Sequence, residues 1–196
     1  MAYQGKRLAR KYRKFVDRFD DPALQEAVAK GYAKLLAYKD EYEVARLLLD
    51  TEAKARAEFD GDFTMKFHLA PPLLSKMGAN GRPVKREFGA GMMRAFRLLA
   101  RMKGLRGTPL DPFGRTEERR MERALIRQYE TDMTEALERV TPETLPVAVA
   151  LAELPLTIRG FGPVKMANEA KAAKQREALL AQLRSDPGAA AAQAAE

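Results

Sequence analysis

Met121, Leu125, Tyr129, Met133 and Leu137 recur at every fourth position. Residues three or four places apart share one face of a helix, so this stripe predicts a long amphipathic helix, capped by Thr116 and running to about Arg139. A chain committed to such a helix must bury that face against other elements, and the remaining sequence supplies mostly further helices. Leu8, Tyr12, Phe15 and Phe19 give the same spacing within residues 3–19. Asp21-Pro22 then reads as a helix start, because an Asp oxygen caps free amides and proline suits the first turn. That helix, about 22–37, carries Leu24, Val28, Tyr32, Leu35 and Leu36, with Gly31 as its weak point. Lys39 to about Phe59 continues with Tyr42, Ala45, Leu48 and Leu49.

The period changes near Gly61. Phe63 to Leu69 alternates apolar and polar residues, a strand signal that Pro71-Pro72 stops. Met77 to Pro83 is rich in glycine, asparagine and proline and reads as a loop, and Val84 to Phe88 reads as the return strand. Helical spacing resumes over 91–103 with Met92, Met93, Phe96, Leu99 and Met102, and Gly104 fits a left-handed C-terminal cap. Arg106 to Gly114 is dense in turn formers. Thr141-Pro142 opens a short helix that Pro155 ends, and Ile158 to Pro163 is a second compact turn before a last helix over about 164–184. The fold class expected is therefore mainly α. A single helical domain spans 1–186, a small two-stranded β-hairpin is inserted at about 62–89, and an alanine-rich disordered tail fills 187–196.

Composition removes several classes of function. None of the 196 residues is cysteine, so disulfides, thiolate nucleophiles and cysteine-ligated zinc or iron–sulfur clusters are out of reach of this chain. No run approaches the apolar length of a membrane span, and the N-terminus has no secretory pattern, so a cytoplasmic address is expected. Charge is uneven. Residues 1–114 hold 23 Lys and Arg against 14 Asp and Glu, and the remainder is nearly balanced. Lys6, Arg7, Arg10, Lys11, Arg13, Lys14 and Arg18 face only Asp17 over 6–18. Arg82, Lys85, Arg86, Arg94, Arg97, Arg101, Lys103 and Arg106 face only Glu87 over 82–106. Such a field attracts nucleic acid, acidic membrane or an acidic protein.

Chemistry-bearing patterns are sparse. His68, the single histidine, has no second histidine, cysteine or spaced carboxylate to make it a metal ligand or a base, and reads as a packed histidine near the hairpin. Gly160-Phe161-Gly162 and Gly89-Ala90-Gly91 lack the third glycine of a dinucleotide loop and read as tight turns. Glu117, Glu118 and Glu122 interleave with Arg119, Arg120 and Arg123, the pattern of a solvated, salt-bridged helix face. Tyr12, Phe15 and Phe19 fall on the core side of the basic first helix, which argues against base stacking and makes nucleic acid an unfavoured partner.

Four segments, taken in order, carry a resemblance. They are Ala37 to Leu47, containing Lys39-Asp40-Glu41-Tyr42-Glu43; Lys66-Phe67-His68-Leu69 with the following Ala70-Pro71-Pro72-Leu73-Leu74; Leu105-Arg106-Gly107-Thr108-Pro109-Leu110-Asp111-Pro112-Phe113-Gly114 with Glu118-Arg119-Arg120; and Ile158-Arg159-Gly160-Phe161-Gly162. Together they resemble the C-terminal domain of the fused, single-chain bacterial indolepyruvate ferredoxin oxidoreductases, from about Tyr3 to Asn168. The resemblance implies membership of an enzyme that decarboxylates indolepyruvate or an aryl pyruvate on thiamine diphosphate. That enzyme passes electrons through iron–sulfur clusters to ferredoxin and forms an acyl-CoA. Its thiamine and cluster sites belong to the larger part of that polypeptide, and this chain has neither a Gly-Asp-Gly signature nor a cysteine. Two positions depart from the family pattern: Met92 follows Phe88-Gly89-Ala90-Gly91 where an aromatic is expected, and Pro163 stands where histidine is expected.

On this reading the chain is a non-catalytic accessory domain that binds no cofactor itself and packs on the catalytic domains. Its basic face, Arg82, Lys85, Arg86, Arg94, Arg97 and Arg101, would dock ferredoxin or the phosphates of coenzyme A. The alternative is a stand-alone basic helical module that binds nucleic acid or an acidic protein. The candidate functional residues are those of the turns and hairpin: Lys66, His68, Arg106, Thr108, Asp111, Arg159 and Phe161. Against them stands a plainer role, in which Arg106 and Arg159 cap helix ends or pair with Asp111 and Asp40.

Overall fold

The structure is a computed structural model that describes residues 3–61, 63–70, 78, 84–160 and 163–185. Among them are α1 (Lys6–Val16), α2 (Pro22–Leu36), α3 (Glu41–Glu58), β1 (Phe67–Leu69), β2 (Arg86–Phe88), α4 (Met92–Arg101), α5 (Glu117–Arg139), α6 (Leu145–Glu153) and α7 (Pro163–Ser185). Two short 3-10 turns, Met102–Leu105 and Leu154–Thr157, extend α4 and α6. The chain is mainly helical with one two-stranded antiparallel sheet. It divides into two compact units, residues 1–38 with 120–196, and residues 39–119. No described helix is long and apolar enough to cross a membrane.

The first unit is built from helices alone. Asp21 caps α2 by accepting from the Leu24 amide at 2.9 Å, with Pro22 in the first turn as expected. α5, whose first turn still belongs to residues 39–119, opens at Thr116, which accepts from the Arg119 amide at 3.3 Å. Their apolar faces meet in a core that includes Phe19, Leu24, Val28, Tyr32, Met133 and Leu183, all essentially out of solvent. Each such side chain contributes about 1.5–3 kcal/mol by leaving water. Tyr32 lies stacked between Tyr12 and Tyr129, with ring centroids 6.0 Å away on either side. Gly31, a weak point by helix propensity, has a packing reason. A Cβ there would sit 2.2 Å from the Ala152 carbonyl oxygen and 2.7 Å from the Tyr129 hydroxyl, so only glycine lets α6 come this close to α2.

The second unit is smaller and is built differently. Its buried apolar cluster is Ala45, Phe67, Met93 and Phe96, with Phe67 edge-on to Phe96 at 5.1 Å. Arg97 faces Glu52 at 3.8 Å while Arg106 reaches back to Asp40, so α4 returns antiparallel along α3. The hairpin pairs Phe67 with Phe88, His68 with Glu87 and Leu69 with Arg86. Both strands are shorter than the alternating pattern suggested. The expected stop at Pro71-Pro72 and most of the expected loop, 77 and 79–83, lie outside the described residues, as does the expected tail at 187–196.

Three local expectations are corrected. Gly104 is not a left-handed cap: it lies inside a 3-10 turn, and the left-handed glycine of this segment is Gly107, with φ at 72°. Arg119 and Glu122 do not belong to a solvated face, because both are buried. His68 is not packed. Strand alternation turns Phe67 inward and His68 outward, and its side chain is 63% exposed, 3.9 Å from Glu87.

Candidate functional site

The densest polar arrangement among the described residues surrounds the start of α3 and the turn that follows α4. Asp40 is the N-cap of α3 and accepts from the Glu43 amide at 2.9 Å. Its carboxylate also receives a two-pronged arginine: Arg106 Nη2 donates to Oδ1 at 2.8 Å, and Arg106 Nε donates to Oδ2. Asp40 is only 2% exposed, so this pair lies in a dry environment where geometry decides its value. Planar guanidinium against planar carboxylate is the arrangement that satisfies both partners.

Asp111 does comparable work inside the turn. It is 6% exposed. Oδ1 accepts from the Tyr42 hydroxyl at 2.9 Å and from the Phe113 amide at 3.1 Å, and Oδ2 accepts from the Gly107 amide at 2.8 Å. The carboxylate thereby ties the turn to itself and to α3. Burial, and then the hydrogen bond to Asp111, push the Tyr42 hydroxyl well above the usual tyrosine range, so it stays a neutral donor. Arg106 lies over the Tyr42 ring at 5.8 Å, and Phe113 meets that ring edge-on at 5.5 Å. Beside them Arg119 Nη2 donates to the Lys39 carbonyl at 3.3 Å, and its Nε stands 3.8 Å from Glu41. Burial raises the Glu41 carboxyl above its ordinary value, offset in part by its own backbone amide and by Arg119.

The candidate residues therefore part company. Arg106 and Asp111 come together, with Asp40, in one buried cluster. Thr108 donates to the Leu105 carbonyl at 2.8 Å and is exposed in the same turn. Lys66 and His68 sit apart from the cluster on the outer face of the hairpin, where Lys66 pairs with Glu87 at 3.0 Å. Arg159 belongs to the first unit; its Nε caps the Leu156 carbonyl at 2.9 Å. Phe161 lies outside the described residues. Of the basic face, Arg82 lies outside them too, while Lys85, Arg86, Arg94, Arg97 and Arg101 are all exposed.

Tyr42 was not singled out from sequence, and neither was the pairing of Asp132 with Arg176 in the first unit, which closes through two bonds of 2.6 Å. Asp40-x-x-Glu43 has the spacing of a helix-start box and could have marked the boundary of α3. Nothing local marks the Asp132 pair. What the buried cluster can do is hold shape: the carboxylate oxygens of Asp40 and Asp111 already receive donors from within the fold. Among the described residues no group of three His, Asp or Glu side chains is arranged to hold a metal ion.

A family model described as a family of unknown function, DUF6537, matches residues 1–178. No curated protein and no solved structure matches the chain.

Proposed function

The chain belongs to the DUF6537 family, and we propose that it is a non-catalytic accessory module of an indolepyruvate or aryl-pyruvate ferredoxin oxidoreductase. It packs on the thiamine- and cluster-bearing parts of that enzyme and fixes their assembly. Thiamine diphosphate, the iron–sulfur clusters and coenzyme A belong to those parts and not to this chain.

One observation carries the reading. Two of the four segments that resemble the oxidoreductase domain are bonded to each other: Asp40 and Tyr42 of the first meet Arg106 and Asp111 of the third. Residues joined in this way hold the backbone around them in one shape, on which a neighbour can pack; they are not free to work on a substrate. A further part of the same reading is that the exposed arginines receive ferredoxin or the phosphates of coenzyme A, which guanidinium forks suit.

The test is to recover the chain from its native extract and assay the eluate for thiamine- and cluster-dependent oxidation of indolepyruvate. Activity that co-purifies supports the reading. A clean monomer with no enzyme attached overturns it. Unchanged ferredoxin reduction at low salt after Arg97→Glu and Arg101→Glu would remove the docking part alone.

A further inference from the structure

α4 has two faces of opposite character. Met93 and Phe96 turn into the core of its unit. On the other side Arg94, Arg97, Leu98 and Arg101 all stand in solvent, at the i, i+3, i+4, i+7 spacing that forms one stripe. Leu98 lies within the stripe, four residues from Arg94 and three from Arg101, and is 61% exposed.

Three arginines so close together repel one another, and the unit does little to relieve it. No carboxylate occurs between Glu87 and Asp111 in the sequence. Arg97 has Glu52 at 3.8 Å, a contact that Glu52 shares with Arg56 at 3.0 Å. Among the described residues no ion pair engages Arg94 or Arg101. The stripe is therefore a like-charged surface that opposite charge from outside would stabilise, and its cations are the planar kind that grips carboxylates through two bonds.

We propose that the outer face of α4 is a docking surface for an acidic protein, whose carboxylates engage Arg94, Arg97 and Arg101 around an apolar notch that receives Leu98. Leu98 decides the kind of partner. Arginines beside an exposed apolar side chain suit a protein–protein interface, where arginine is enriched and the surrounding contacts keep water from the apolar centre. A nucleic-acid backbone has no use for an exposed leucine at that centre, and the stripe offers no aromatic ring for a base to stack on. A lipid surface calls for a broad apolar face, which α4 directs into its own core. The inference does not rest on the oxidoreductase reading, since any acidic protein partner satisfies it.

The experiment places a photo-crosslinking residue at the centre of the stripe. Leu98→p-benzoyl-phenylalanine is expressed in the full chain in its native cell, irradiated, and the captured species is identified by mass spectrometry. The expected product is one protein, cross-linked through a segment rich in Asp and Glu. Its yield should fall at least about tenfold in an Arg94→Glu, Arg101→Glu background, since reversing buried interface charges lowers affinity by that order or more. Leu98→Ala, with its fold checked by circular dichroism, should weaken binding of the purified captured protein several-fold. Cross-links to nucleic acid or lipid overturn the proposal, as do no product at all and a yield indifferent to charge reversal. If the captured protein is acidic but is neither the thiamine-bearing oxidoreductase nor a ferredoxin, this inference stands and the docking part of the accessory reading falls.

Discussion

Both units hold buried ion pairs, but they differ in the apolar core that surrounds them. In the unit of residues 1–38 and 120–196, helices bring leucines, a methionine and three stacked tyrosines into one apolar core, and its ion pairs, from the exposed Arg184–Glu135 to the buried carboxylates of Asp132 and Glu122, fasten α7 to α5 around it. Among the described residues of 39–119, Ala45, Phe67, Met93 and Phe96 form the buried apolar cluster. Its geometry is fixed by carboxylates buried against arginines and backbone amides. Apolar burial is strong but has no direction, so it makes a core without choosing a loop conformation. Hydrogen-bonded charge is directional, and it can hold an irregular turn in one shape. The turn of residues 105–114 follows the second rule: Asp111 holds it from within while Leu110 remains 76% exposed at its tip.

The largest effect is expected from Arg106→Ala. It leaves Asp40 buried without its guanidinium, and loss of one partner of a buried pair costs about 3–5 kcal/mol. Amide exchange in α3 and in residues 102–113 should accelerate accordingly; a loss under about 1 kcal/mol would mean the pair is more hydrated than its burial indicates. Next comes Gly31→Ala in the other unit. The added methyl meets the Ala152 carbonyl at 2.2 Å, and because a backbone atom cannot swing aside, overpacking should lower stability by roughly 1–3 kcal/mol in thermal unfolding. Tyr129→Phe tests the same contact more gently. It removes the donor that reaches Ala152 O at 2.9 Å, and a denaturant titration should lose about 1–2 kcal/mol for the unsatisfied carbonyl.

The smallest effects are electrostatic, and they have opposite signs in the two units. Arg184 holds the Glu135 carboxyl below its ordinary value, so its contribution is present above that value and is lost as pH falls through the lowered one. Burial holds Glu41 above its ordinary value, so the fold binds that proton more readily than the unfolded chain. Stability then declines as pH rises through the raised value and recovers on acidification. Stability profiles from about pH 3 to pH 7 for Glu135→Gln and Glu41→Gln should therefore depart from wild type in opposite directions.

What was legible in the sequence was whatever depends on near neighbours. The stripe through Tyr129 and Met133 fixed α5, Asp21-Pro22 fixed the start of α2, and the alternation around Phe67 marked the hairpin. The contacts that organise the second unit join residues far apart, Asp40 with Arg106 at a separation of 66 and Tyr42 with Asp111 at 69. Periodicity carries no signal for them; the plainer alternative for Arg106, pairing with Asp40, came from chemical type alone. The burial of Arg119 and Glu122 is hidden for a related reason. Opposite charges at helical spacing suggest one another as partners, whereas Arg119 reaches back to Glu41 and Lys39, and Glu122 pairs with Lys165. The apolar neighbours of His68 suggest a packed side chain, whereas strict alternation places it on the opposite face from Phe67.

The pairing of Asp40 with Arg106 also bears on the order of events as this unit folds. The contact closes a long loop, whose ends meet only after an entropic toll that grows with its length. The α3 cap at Asp40 and the turn at Asp111 involve neighbours three or four residues apart and can form early, in the manner of local structure. The ionic closure is then expected to form late, after the rate-limiting barrier. Arg106→Ala should accordingly speed unfolding and leave the refolding rate nearly unchanged, which makes the pair a brake on opening and not a guide to assembly.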